Sequence, residues 1–416
     1  MVRQLLLHHI RQLLTFAGPP SPRRGVELRD IGLLTDASVL VENGKIAWVG
    51  PAGDLDGTRV HDADEIDCSE SVVLPGLIDC HTHAMFAGTR EDEFAQRSEG
   101  VSYQEIANRG GGILSTVKAT RAATKRELKR LTARRLDLMM QHGTTTMEIK
   151  SGYGLNEEAE LKMLEAIREL QDEHPATVVA TFLGAHAVPP EYEGRSDEYI
   201  TLLIERILPY IAKRHLAAFC DVFCENGYFT TSQSNRLLSA AAGLGLGVRL
   251  HADQLHQIGA SALGAELSAH TVDHLERIDD RSIAALRSSG TIGVILPGAS
   301  FFLGGPYAPA RKLIDSGVPI AIASNFNPGS CMSFSLPLMT TIACTQTGVT
   351  PEEALSAVTV NAAVALGISD RFGSIDTGKE ADFVMFDVPS YRSISYEFGT
   401  NLVSRVIKRG VLLEFP

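Results

Sequence analysis

The stretch VVLPGLIDCHTH, residues 72–83, is a near-continuous apolar run that ends in Asp79, Cys80 and a His-Thr-His triplet. A strand covered by helices on both faces reads this way, because a buried parallel sheet leaves no face for water. In extended backbone alternate side chains share a side, so the imidazoles of His81 and His83 can reach one point. The triplet alone is a weak signal. Its meaning depends on what the rest of the chain brings beside it.

Seven further runs of the same kind follow: TTTMEIK (144–150), ATVVATFLGA (176–185), DVFCE (221–225), LGVRLHA (246–252), AHTVDHL (269–275), TIGVILP (291–297) and VPIAIAS (318–324). Helical patterns separate them. NEEAELKMLEAIREL (156–170) is one, with Asn156 placed to cap and Glu157, Glu158 and Glu160 at the positive end of the helix. Eight apolar strands alternating with helices predict an α/β fold, a (β/α)8 TIM-like barrel over residues 71–365. The flanks read differently. VLVENGKIAWVGP (39–51) carries a hairpin signal at Asn43-Gly44, and GKEADFVMFDVPS (378–390) and VSRVIKRGVLLEF (403–415) are strand-like. Residues 1–70 and 366–416 are therefore expected to share one small β-sandwich-like domain.

A chain of 416 residues accommodates a barrel of about 250 residues and such a satellite. The net charge of −12 argues against a nucleic-acid surface, which needs Lys and Arg to displace counterions. No apolar run is long enough to span a bilayer, and the opening MVRQLLLHHIRQLLTF, interrupted by His8, His9, Arg11 and Gln12, reads as a first strand rather than a signal peptide. Six scattered cysteines without a CxxC pair suggest reduced thiols and a cytoplasmic protein, with Cys220 and Cys224 as core residues rather than metal ligands. A small molecule is the expected partner, with no nucleic acid and no membrane.

Active sites of such barrels lie at the C-terminal ends of the strands. There the first run delivers His81 and His83, the third His186, the fifth His251, the sixth His274 and the eighth Asn325. Histidines at one end of four strands point to a metal site. Asp79 and Asp253 flank ligand positions, either orienting them or making local hydrogen bonds. The remaining histidines fall on terminal segments, presumed helices or positions before strand ends, where solvated or structural roles suffice. Gly110-Gly111-Gly112 and the glycines of SGYG permit close backbone approach to a small ring, and neither is followed by the Lys-Ser/Thr pair of a phosphate loop.

PGLIDCHTH, HADQ and the terminal GSIDTGKEADFV resemble the layout of metal-dependent amidohydrolases. FAGTREDEF (86–94), GGGILSTVKATR (110–121), EIKSGYGL (148–155), GAHAVPPEY (184–192), DVFCE and FNPGS are similar, more narrowly, to the imidazolonepropionase family, over nearly the whole chain. The resemblance implies opening of the cyclic amide of 4-imidazolone-5-propanoate to N-formimidoyl-L-glutamate in histidine degradation. It implies one metal ion per chain, zinc or iron, on His81, His83 and His251, and a homodimer. It further implies that Arg90 binds the propionate, a task suited to a planar guanidinium. Tyr103, Tyr153, His186, Gln254, Asn327, Gly329 and Ser330 match substrate-contacting positions, and His274 and His186 would hold or polarise substrate and water.

One position departs. Where the family pattern carries an aspartate that ligates the metal and handles the proton, this sequence has Asn325. A neutral amide is a weaker ligand and no base, so impaired hydrolysis is expected, with His274 as the substitute base. Two alternatives stay open: another amidohydrolase, such as a heterocycle deaminase, and a catalytically silent ligand-binding homologue.

Overall fold

The computed structural model describes residues 3–101, 105 and 110–415. Eight parallel strands follow one another around a barrel: Leu77–Asp79 (β1), Thr144–Lys150 (β2), Thr177–Ala185 (β3), Phe219–Cys224 (β4), Gly247–Ala252 (β5), Thr271–His274 (β6), Ile292–Ile295 (β7) and Ile320–Ile322 (β8). Each pairs in parallel with the next in sequence, as right-handed crossovers through helices dictate. The seam between β1 and β8 closes just beyond the strand ends. There the Asn325 N–H donates to the His81 carbonyl at 3.1 Å and the His83 N–H to the Phe326 carbonyl at 2.9 Å. The His-Thr-His and Asn-Phe-Asn segments are thus stitched to one another.

The helices form where the sequence caps them. Asn156 accepts from the Ala159 N–H at the head of Glu157–Glu173, and Thr230 and Gln233 make a reciprocal cap on Thr231–Gly243. Inside the barrel the layers change character from bottom to top. Ile78, Val179, Phe219, Ile292 and Val294 pack against Ala362 and Phe372 in an apolar plug. Above it lies a buried layer of charge, Glu148, Lys150, Asp221, Arg249 and Asp273, and above that the histidines. Cys220 and Cys224 are buried on β4 in the main core, as expected.

The first run divides, which corrects its reading as a single barrel strand. Val72–Pro75 pairs antiparallel with Phe383–Phe386 in a terminal sheet, and only Leu77–Asp79 enters the barrel. The chain crosses between the two at Gly76, where a Cβ would sit 2.2 Å from Thr145 Oγ1. Any larger residue would push β1 off β2. The terminal segments build a four-stranded sheet of Gln4–Ile10, Ala37–Glu42, Lys45–Pro51 and Asp64–Asp67, and a six-stranded sheet in which three C-terminal strands lie beside three N-terminal ones, joined where Phe383–Phe386 pairs with Val72–Pro75. Leu5, Leu7 and Val39 of the first pack with Leu13, Val73, Phe383 and Ile407 of the second, so the two ends of the chain share one β-rich core.

Candidate active site and metal centre

At the C-terminal end of the barrel, His81, His251 and His274 bring donor atoms within 4.8 Å of one another, and His83 Nε2 lies 3.4 Å from His251 Nε2. All four rings are buried. Their orientation is set from below. Asp273, on β6, stands 2.6 Å from His81 Nδ1, and Asp221, on β4, stands 3.1 Å from His251 Nδ1. A carboxylate that accepts a hydrogen bond from Nδ1–H keeps the proton there and so turns the Nε2 lone pair inward. Burial, reinforced by Lys150 and neighbouring rings, holds His81 well below the usual histidine range, and burial with His186 does the same to His83.

These are the properties of a cation site. His81 Nε2 and Asn325 Oδ1 are buried without a hydrogen-bond partner, and the Nε2 atoms of His83 and His251 face each other across 3.4 Å. Neutral imidazoles with inward lone pairs fit a divalent ion, which would satisfy what the protein leaves open. Asn325 adopts φ 53°, a left-handed conformation that Asn and Asp alike tolerate. Its Nδ2 donates to Ser330 Oγ at 3.2 Å, leaving Oδ1 for the cluster.

Beside the histidines opens a cavity of about 320 Å³. His83, His186, His251, His274 and Asn325 line it, together with Arg90, Asn327, Gly329 and Ser330. Asn327 is fixed by the Gly329 and Ser330 N–H groups, both donating to its Oδ1 at 2.8 Å. Glu93 pins the Arg90 guanidinium through Nε at 2.9 Å and Nη2 at 2.7 Å. The remaining edge, Nη1, points at Gly329, where a Cβ would approach to 2.2 Å.

Tyr153, on the Gly152–Leu155 loop, also lines the cavity, its ring 5.3 Å from His186 and 6.0 Å from His83. Buried Glu160 organises that loop, accepting from the N–H groups of Gly152, Gly154 and Leu155. The helix-dipole role expected of Glu160 is thus secondary to its grip on this turn. His186 bonds through Nδ1 to the Gly152 carbonyl at 3.0 Å and stacks on His83 at 5.0 Å, and burial with His251 pushes it down to about 3. Gln254 also lines the cavity, followed by Leu255, whose N–H is held by Glu225. His274 Nδ1 is 3.3 Å from Glu276 Oε1.

The cavity thus gathers Arg90, Tyr153, His186, Gln254, Asn327, Gly329 and Ser330, while Tyr103 lies outside the described residues. Asp79 and Asp253 take the local alternative: Asp79 accepts the Ser324 N–H at 3.1 Å and Asp253 the Ser261 side chain and N–H. The carboxylates behind the ligands are Asp221 and Asp273, which sequence reading passed over. Lys150 stands between them, 2.8 Å from Asp221 and 2.7 Å from Glu148, and Arg249 Nη2 is 3.3 Å from Asp273. Burial lowers the Lys150 ammonium but Asp221 and Glu148 more than offset it, so it stays charged. The available signal was spacing: Glu148 with Lys150, and Arg249 with His251, sit two apart on a strand and so face the same interior. The apolar wall of Ile113, Phe223 and Leu303, and the ring of Tyr228, had no such signal.

A parallel eight-stranded barrel with a histidine cluster at its mouth and a β-rich satellite defines a metal-assisted hydrolase, and the chain belongs to the amidohydrolase family, which matches residues 72–413. Within that family it is similar to imidazolonepropionases. That of Geobacillus kaustophilus (strain HTA426) is 46% identical over 413 residues, covering 98% of this chain and 97% of the relative, and that of Symbiobacterium thermophilum is 46% identical with the same coverage. Among solved structures, E. coli guanine deaminase superposes with a TM-score of 0.75 over 99% of both chains at 13% identity. An adenosine deaminase from Xanthomonas campestris with bound zinc superposes with a TM-score of 0.72, over 99% of this chain and 92% of the other, at 17% identity. At such identities these two speak to the fold alone.

Proposed function

We propose that this protein hydrolyses the cyclic amide C–N bond of 4-imidazolone-5-propanoate, the histidine-degradation step that yields N-formimidoyl-L-glutamate. One observation carries the reading beyond family membership. A single cavity is lined by both a pinned guanidinium, Arg90, and a buried histidine cluster, which suits a small ring bearing a carboxylate arm. The imidazolonepropionase relatives support the same substrate.

Arg90 Nη1 and the Ser330 hydroxyl bind the propionate, and Tyr153 and His186 hold the ring. A divalent ion, zinc or iron, on His81, His83 and His251 with Asn325 Oδ1 as a weak fourth ligand, supplies Lewis acidity and an acidified water when bound. Glu276 holds the Nδ1 proton of His274, leaving Nε2 free to take the proton of the attacking water and pass it to the departing ring nitrogen. The amide at 325 can offer Oδ1 as an acceptor but is too weakly basic to take that proton. The absence of a carboxylate base at 325 lowers the rate by a factor on the order of 10² to 10⁴.

The test pairs metal content with hydrolysis for this protein and Asn325→Asp. Restored acid raising turnover by about a hundredfold or more, at equal or higher metal content, supports the reading. Metal binding without turnover of this substrate by either protein refutes it. Release of ammonia from an amino-substituted heterocycle would put a deaminase in its place, and reversible binding of the imidazolone by both proteins a silent homologue. The proposal includes a reducing cytoplasmic setting, supported by six cysteines without a disulfide, and a homodimer, which sedimentation equilibrium checks.

A further inference from the structure

The buried charges beneath the histidines converge on one atom. Lys150 Nζ lies 2.8 Å from Asp221 Oδ2, and the other oxygen of that carboxylate is 3.1 Å from His251 Nδ1. It lies 3.9 Å from Asp273 Oδ2, the same oxygen that stands 2.6 Å from His81 Nδ1. Its third neighbour, Glu148, is 2.7 Å away through Oε1, and through Oε2 accepts the Thr82 N–H at 3.0 Å, between His81 and His83. Each carboxylate around this ammonium therefore holds a different part of the histidine cluster.

We propose that Lys150 is a positioning residue for the metal centre, the crosspiece that fixes His81, His251 and the His-Thr-His backbone relative to one another. The inference rests on the metal-site reading above. An ammonium has donors and no acceptor, and this one bonds Glu148 and Asp221 directly while pairing with Asp273 through charge at 3.9 Å. Stability alone does not account for the arrangement, since buried ion networks are often neutral or costly against apolar packing of the same volume. Charge balance points the same way. Three carboxylates against Lys150 and Arg249 leave one net negative charge beneath the histidines, in a chain whose strand-eight ligand position is a neutral amide.

The role makes a prediction opposite in sign to simple electrostatics. Removing a cation from beneath a metal site strengthens metal binding if charge is all that matters, and weakens it if geometry is held by that cation. Zn²⁺ affinity of the metal-free full chain, measured by competition with a chromophoric chelator, separates the two. Lys150→Met and the charge-balanced double variant Lys150→Met/Glu148→Gln are each expected to bind Zn²⁺ at least about tenfold more weakly than the parent, the scale seen when groups behind metal ligands are removed. Circular dichroism establishes which variants are folded, and the double variant decides if the single one is not. Parent-like or tighter binding in a folded variant overturns the role and leaves Lys150 as a packed counter-charge. Failure of the parent itself to bind Zn²⁺ overturns the metal-site reading, and this inference with it.

Discussion

Gly329 is glycine because Arg90 needs its space. A methyl group there would stand 2.2 Å from Nη1, the guanidinium edge that Glu93 leaves free, while the backbone N–H remains tied to Asn327. Gly329→Ala should therefore displace Arg90, the proposed carboxylate clamp, without disturbing the histidines. Loss of a charge-assisted contact is worth about 1.5 to 3 kcal/mol, so KM for the propionate substrate should rise roughly 10- to 100-fold with metal content unchanged. Steady-state kinetics with a metal assay checks it, and an unchanged KM would remove Arg90 from the substrate site. The cysteines make the opposite case, of reactive groups made inert. Burial pushes Cys68 and Cys331 up to about 12 and Cys224 and Cys344 up to about 11. Thiolate, the reacting form, is scarce at pH 8. Native protein treated with a thiol reagent should release at most one equivalent rapidly, from half-buried Cys344, and six after unfolding.

Elements were legible to the degree that burial imposes a pattern. TTTMEIK is β2 residue for residue, since a strand covered on both sides shows an apolar and Thr-rich run with clear ends. VVLPGLIDC was not divided correctly, because a strand leaving one sheet for another stays apolar throughout and only the contact at Gly76 marks the crossing. Strand-end histidines were legible from the barrel rule. The charged layer was not: an acid or a lysine in a short strand reads as solvent-facing, and only closure of the barrel puts Asp221, Asp273 and Lys150 inside. Gly76→Ala tests the crossing. Overpacking against Thr145 should destabilise the protein by about 1 to 3 kcal/mol, seen as a lower denaturant midpoint, and Thr145→Ser in the same chain should recover part of it by removing the γ-methyl beside the new Cβ. An unaltered midpoint would mean that β1 and β2 separate freely.

At the scale of the whole molecule, the question is what keeps the terminal segments on the barrel. Contacts distant in sequence do this: the Arg23 N–H donates to Asn361 Oδ1 at 2.8 Å, and Ser356 Oγ donates to the Leu28 carbonyl at 2.7 Å. Glu353 is the charged member of the set. Its buried carboxylate takes Arg29 from the N-terminal segment at 3.0 Å and Arg311 at 2.8 Å, and accepts the Thr350 N–H at 2.8 Å as part of a helix cap. Burial raises this carboxyl, but the bonds from Arg311 and Thr350 outweigh it and hold it below the usual glutamate range. A folded pKa below the unfolded value means that the unfolded chain binds more protons. The stability Glu353 contributes is thus fully present above the unfolded value, about 4.3, and is lost as pH falls through the folded pKa. Glu353→Gln should cost about 1 to 3 kcal/mol at pH 7, and the gap between variant and parent in thermal midpoint should shrink below pH 4. A gap that persists unchanged into acid would make the loss one of shape rather than charge, and the tie between the terminal segment and the barrel would then rest on Asn361 and Ser356.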